Sequence, residues 1–375
     1  MRNITILFSL LVCMFSCSVQ ETGDRDVLLY GKRDSVSFSV NYALLPESTK
    51  AADVNETLVE DVNLYLFNEL GDLVYYSYSE GSSSVETSVY ENMDYSLYAL
   101  VNAHARIYVR SVDELQTLRY SITDYPEMVS ADGSVLMSGS LEAVRLSGRA
   151  DVTVNLTRCV AKIVLKCDFS GLNPDVGIVA DEVSLKNLPL SVKPFAQSKV
   201  DDRDDTSSST IVENPSVETL QQGIVFYQYE NMQGLLQEGN LDQTKKWWPE
   251  ENPYSEICSY VEMKGHYSSS RKDGAITYRF YLGKDMVADY SVERNRQYTV
   301  VLCFNGDGAV EENTWRVDNS EIVDLVTSVE LLPESHKFTE IGATLQLSAT
   351  VQPLTAANKT LQWSTSDEKV ATVDQ

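Results

Sequence analysis

Apolar and polar side chains alternate residue by residue along most of this chain, and nothing else in the sequence limits its fold so tightly. A β-strand turns successive side chains to opposite faces, so an alternating run buries one face and wets the other. In SVSFSVNY, Val36, Phe38, Val40 and Tyr42 share one face, and Ser35, Ser37, Ser39 and Asn41 share the other. That is a half-buried strand. VNLYLFNELGDLVYY reads as a hairpin. Val62, Leu64 and Leu66 face one way, and the turn runs through Asn68 to Asp72, with Gly71 free to take a positive φ. YSLYALVNA, ITYRFYLG and RQYTVVLCF continue the series. In DVTVNLTRCVAKIVLKCDF, Cys159, Ala161, Ile163, Leu165 and Cys167 face a core while Lys162 and Lys166 face out. Helix is scarce. Ser111 and Glu114 have capping-box spacing, and a second short helix is expected at residues 216–222. NGDG at 305–308 suits a turn, and DDRDDTSSST at 201–210 suits a solvated loop whose spacing fits no metal loop. The pattern predicts a mainly β protein of sandwich type, with a first domain at 32–150 and a second at 151–318.

The 375 residues are 43% hydrophobic and 23% charged, enough to bury real cores in two or three domains. With 30 Lys+Arg against 55 Asp+Glu the formal charge is -25, which repels nucleic-acid phosphates, so no nucleic-acid partner is expected. His104, His266 and His336 are scattered, which disfavours a multi-histidine metal site. No nucleophile elbow, phosphate-binding glycine loop or His-Glu metal motif occurs, and carboxylate pairs arise by chance among so many acids. Neither an enzyme nor a bound metal or cofactor is expected. Aromatic residues are the better lead. Trp247 and Trp248 stand together in KKWWPEENPY and are candidate ligand aromatics, for a sugar or a protein, unless the loop folds both rings onto its own domain. Tyr75, Tyr76 and Tyr78 decorate the hairpin as interface or as plain strand surface.

The start of the chain reads as an address. MRNITILFSLLVCMFSC has a basic residue, a short apolar run and a small residue directly before Cys17, then turns polar. That is too short to span a bilayer comfortably and fits a secretory signal over 1–16, followed by a tether over 17–31. The Ser16-Cys17 junction resembles that of a bacterial lipoprotein, with Cys17 the lipidated first mature residue and its acyl chains giving firm anchoring. Cys159, Cys167, Cys258 and Cys303 remain. At about 3.3 Å per residue, Cys159 and Cys167 on one strand lie roughly 26 Å apart, beyond disulfide reach. Either one of them pairs with Cys258 or Cys303, or all four are small buried hydrophobes.

Several stretches in order carry a family resemblance: TKAAD at 49–53, VNLYLFNELGDLVY at 62–75, TRCVAKIVLKC at 157–167, FYQYENMQG at 226–234, CSYVEMKGHY at 258–267 and YRFYLGKDMVADYSVERNRQYTVVLCFNG at 278–306. Together they resemble the fimbrillin-like surface lipoproteins of Bacteroidetes, and the Tyr-Leu-Gly and Arg-Asn-Arg-Gln-Tyr words resemble a domain of unknown function in that group. Residues 326–375 resemble the start of a bacterial group 2 Ig-like domain, through Val329, Pro333, Gly342, Leu345, Leu347, Ala349, Val351, Pro353, Asn358, Trp363, Ser364, Ser366, Val370, Ala371 and Val373. There, Leu345, Leu347 and Ala349 are expected to point inward, Trp363 to be a core ring and 370–373 to form a further strand, with the closing strands lying beyond Gln375 or supplied by another molecule. The resemblance implies tandem transthyretin-like, Greek-key β-sandwich domains followed by a truncated Ig-like β-sandwich. It implies a non-catalytic outer-membrane lipoprotein that serves as a fimbrial tip, anchor or accessory subunit, or as an adhesin, with other fimbrial subunits or host and bacterial surface ligands as partners. It further implies assembly by strand exchange. Proteolysis follows the first strand, here at Lys50, where the best-known members carry Arg, and the strand of Val36, Phe38, Val40 and Tyr42 is displaced. The alternative is a standalone surface module for glycan or protein, outside any fimbrium.

Overall fold

The structure, a computed structural model, describes residues 33–44, 54–80, 84–90, 92–147, 149–308, 317–318 and 323–374. The described residues gather into two compact units. One is built from 33–43, 61–115 and 139–156, the other from 54–60, 116–138 and 157 onward. The second unit thus takes in 54–60 and 116–138, which the alternation places inside 32–150. Long-range polar contacts draw them there, described below for Glu56; Tyr120 and Ser121 do the same by pairing with Val192 and Ser191.

In chain order come β1 (Arg33–Leu44), β2 (Val62–Asn68), β3 (Leu73–Ser79), β4 (Ser84–Tyr90), β5 (Tyr95–Val101), α1 (Val112–Thr117), β6 (Tyr120–Ser121), β7 (Met137–Val144) and β8 (Arg149–Arg158). Seven of these strands form one sheet in the order β3-β2-β5-β7-β8-β1-β4. The β2–β3 hairpin turns where expected. Asn68 accepts the Leu70 and Asp72 amides on its side chain, and Gly71 sits at φ 83, which an L side chain rarely adopts. Ser111 caps α1 by accepting the Glu114 amide at 3.2 Å, while Glu114 reaches back to the Arg110 amide at 2.8 Å. β2 departs from half-burial, since Val62 to Phe67 are buried on both faces. The polar face of β2 carries the loop that follows β5. Asn63 donates to the Ala105 carbonyl and accepts the Ile107 amide, and the Tyr65 hydroxyl donates to the Ile107 carbonyl.

The second unit continues with β9 (Val160–Leu172), β10 (Gly177–Lys186), β11 (Leu188–Pro189), β12 (Ser191–Val192), β13 (Thr206–Ser207), β14 (Val212–Glu213), α2 (Val217–Gln222), β15 (Ile224–Tyr229), β16 (Asn231–Leu235), β17 (Tyr260–Ser268), β18 (Lys272–Tyr281), β19 (Asp289–Val292), β20 (Gln297–Gly306), β21 (Val317–Asp318) and β22 (Val323–Asp324). One sheet runs β14-β10-β17-β18-β21, with β22 also on β18, and another runs β15-β9-β20. Their inner faces make one core. Ala161, Ile163, Leu165, Cys167, Phe226, Leu302 and Phe304 meet Val183, Leu185, Val261, Met263, Ile276 and Tyr278, all buried. This is the expected β-sandwich. The expected single strand through Cys159 breaks there, between β8 and β9. Ser216 caps α2, and Gly308 closes a turn on the Asn305 carbonyl.

Downstream, β23 (Ser328–Leu332) and β24 (Ser348–Gln352) pair antiparallel from Ser328↔Gln352 to Leu332↔Ser348. Leu345, Leu347 and Ala349 alternate half-buried with exposed neighbours, and Val351 is buried. Trp363 is half-buried, and 370–373 is not a strand: no described strand lies beside it to supply hydrogen bonds.

Candidate functional site

β1 is the candidate, because it lies inside the sheet with one face buried. It lies between β8 and the edge strand β4. It pairs antiparallel with β4 from Arg33↔Tyr90 to Ser39↔Ser84, so that Val36 faces Thr87 and Phe38 faces Val85 across the ladder. Val36, Phe38 and Val40 are at most 2% exposed and Tyr42 is half-buried, while Ser35, Ser37, Ser39 and Asn41 are exposed. The alternation read from the sequence is therefore the burial pattern of the strand. Each of the three buried side chains contributes about 1.5–3 kcal/mol of burial. Taking β1 away uncovers a lane between β8 and β4, with apolar sockets at every second position and unpaired backbone groups along both walls. Cys17 and Lys50 lie outside the described residues.

Just beyond, the 3-10 turn Val54–Thr57 carries Glu56, which is 2% exposed. Its Oε1 accepts from Lys162 Nζ at 2.7 Å and from the Tyr227 hydroxyl at 2.5 Å. Its Oε2 lies 3.7 Å from Arg158 Nε, which also donates to the Glu56 carbonyl at 3.2 Å. Arg158, 2% exposed, donates as well to Asn295 at 3.0 Å. Burial pushes the Glu56 carboxyl up, but the bonds from Lys162 and Tyr227 and the charges of Lys162 and Arg158 outweigh it and hold the pKa below its ordinary value. The sequence reading sent Lys162 to solvent by parity. The structure corrects this: Lys162 leaves the core face as expected, but meets a buried carboxylate there instead of water. Parity reports the face of a strand and not what covers it.

Trp247 and Trp248 fold back on the second unit and are half-buried against Cys258, Tyr281 and Tyr290. Trp248 packs tilted against Tyr254, itself 38% exposed, at 5.0 Å between ring centres, and against Tyr290 at 5.4 Å. Lys246 was not singled out from the sequence, yet it is 1% exposed. It donates to the Asp285 carbonyl at 2.6 Å and lies 5.0 Å from the Tyr290 ring centre. Gly283 lies beside it, where a Cβ would come within 1.8 Å of the Asp289 carbonyl oxygen and 2.7 Å of Nζ. Tyr76 and Tyr108 meet edge to face at 5.5 Å beside the Arg106–Tyr78 pair. The four cysteines are unpaired: Cys159, Cys167 and Cys258 are buried and Cys303 is exposed. Of the two sequence alternatives, no bridge forms, and three of the four are buried hydrophobes. Among the described residues, no three His, Cys, Asp or Glu side chains gather as a metal site.

Comparison with known proteins agrees with this architecture. Residues 33–184 match the model of fimbrillin-A associated anchor proteins Mfa1 and Mfa2, residues 226–302 a domain of unknown function (DUF4906), and residues 325–375 the bacterial Ig-like domain, group 2. A solved candidate cell adhesion protein from Bacteroides eggerthii aligns at a TM-score of 0.50 and 15% identity, over 85% of this chain and 95% of that one. Another from Parabacteroides distasonis aligns at 0.50 and 14% identity, over 73% and 94%. At such identities the likeness is one of fold. A 3-O-alpha-D-galactosyl-alpha-L-arabinofuranosidase from Bifidobacterium longum subsp. longum is 38% identical over 64 residues, 16% of this chain. The chain spans only 6% of that enzyme's length. The matches bear out the resemblance drawn from the sequence words.

Proposed function

We propose that this fimbrillin-like protein, with its bacterial Ig-like segment, is a non-catalytic surface lipoprotein that joins a fimbrium as tip, anchor or accessory subunit, or acts as an adhesin, and that β1 is its exchangeable strand. The observation that carries the reading is the place of β1 inside the sheet, between β8 and β4, with Val36, Phe38 and Val40 buried. A strand removed from that lane leaves a groove that another strand of the same chemistry fills. Main-chain hydrogen bonds supply affinity, and the alternate sockets set the register. Lys50 is the processing point in this reading and Cys17 the lipid anchor. Because the chain runs on past β22 into the Ig-like segment, a terminal or accessory place suits it better than a repeating shaft. Deleting residues 18–50 tests the reading. The truncated chain is expected to self-associate or to bind a peptide of residues 33–44. A truncated chain that stays monomeric, ignores the peptide and matches the full chain in stability overturns it.

A second reading, a standalone glycan- or protein-binding module, rests on Trp247, Trp248 and the part-exposed Tyr254 packed against Trp248. Saturable glycan binding that is lost in Trp247→Ala or Trp248→Ala, with the fold intact by circular dichroism, would favour it. Absence of binding in the unmutated chain would remove it.

A further inference from the structure

We propose that Glu56 is a positioning residue for strand exchange: it holds the chain beyond the processing point fixed on the second unit, so that severing the chain upstream releases β1 and nothing else. The inference rests on the strand-exchange reading above. Three observations support it. First, the path of the chain is unusual. β1 and β2 share a sheet, yet residues 54–60 between them belong to the other unit. The chain therefore leaves the sheet after β1, is held elsewhere, and returns as β2.

Second, what holds it is a single buried carboxylate meeting three elements. Arg158 ends β8, the strand that walls the lane of β1; Lys162 is on β9 and Tyr227 on β15. Lys162 and Tyr227 are directly bonded to one carboxylate oxygen, and Arg158 grips the Glu56 backbone carbonyl. Third, the carboxylate brings a negative charge to two cations: Arg158, which is buried, and Lys162, which is half-buried. Removing one partner of such a group costs far more than the pair contributes net, because the remaining charges lose their solvation without compensation. A chain end created upstream of Val54 is thus held at Arg158, the last residue of β8.

The test uses the full chain with a site-specific protease sequence in place of residues 45–51, with and without Glu56→Gln. After cutting, hydrogen exchange of residues 54–60 and the uptake of a fluorescent peptide of residues 33–44 by the stripped protein are measured. With Glu56 present, exchange at 54–60 is expected to be the same before and after the cut, and the peptide to bind. With Glu56→Gln, exchange there is expected to rise about 10–100-fold after the cut, the range for losing a hydrogen bond to a charged group, and peptide binding to weaken about tenfold. Equal exchange and equal peptide affinity in the two cut chains would overturn the proposal. The uncut chains report any merely structural effect, which would appear before cutting. If the Glu56→Gln chain does not fold, Tyr227→Phe removes one donor and keeps the ring, and a rise of a few-fold confined to the cut chain is expected. If exchange at 54–60 behaves as stated but the unmutated stripped protein takes up no peptide, strand exchange fails while the anchoring by Glu56 stands.

Discussion

Glu56 is almost wholly out of water yet holds its carboxyl pKa below the ordinary value, so its protonation contributes to the acid response of the second unit. Its folded pKa lies below the ordinary 4.5 because hydrogen bonds from Lys162 and Tyr227 and two positive charges outweigh burial. A carboxyl lowered on folding stabilises the fold above its unfolded pKa, and that contribution is lost as pH falls through the lower folded value. Melting curves of the unmutated chain and Glu56→Gln should therefore differ most near neutral pH, and the gap should close as the solution is taken below about 4.5. A gap that is constant with pH would mean that the carboxylate charge is not what matters. The thiols give a second check at this scale. Burial pushes Cys167 up to about 12, and Cys258 up to about 12 against the Lys246 charge that pulls it down. Burial raises Cys159 as well. Of these four cysteines, iodoacetamide at neutral pH should label Cys303 on the native chain and the other three only after unfolding.

At the scale of elements, β1 separates what a strand contributes by its buried face from what it contributes by its wet one. Phe38→Ala should cost about 3–5 kcal/mol by urea unfolding. Ser37→Ala on the exposed face should stay within about 0.5 kcal/mol. Equal effects would mean that β1 is not seated as described. The same strand explains why so much of the fold was legible. Alternation at Val36, Phe38 and Val40, the Asn68–Asp72 turn, and the Ser111 and Ser216 caps are local signals, and local signals survive into the structure. What was not legible depends on partners remote in sequence. Val62 to Phe67 are buried on both faces because a later loop returns over Asn63 and Tyr65. Lys162 is half-buried because Glu56, which lies between β1 and β2 in the sequence, meets it. Lys246 was not singled out in the sequence, because its contacts with Tyr290 and the Asp285 carbonyl come from residues about 40 positions away.

For the whole molecule, the candidate site depends on topology more than on any side chain. The strand-exchange reading rests on the first described strand lying inside a sheet and on the segment after it belonging to the other unit. The sequence words identified the strand, but its neighbours β8 and β4 and the excursion of 54–60 could be learned only from the fold. The most direct test is the N-terminal sequence and intact mass of the native protein recovered from the cell surface. The expected result is a chain that begins at residue 51, with β1 gone and its lane filled by another strand. A lipid-modified start at Cys17 in every recovered molecule, with β1 still attached, would contradict strand exchange at this site.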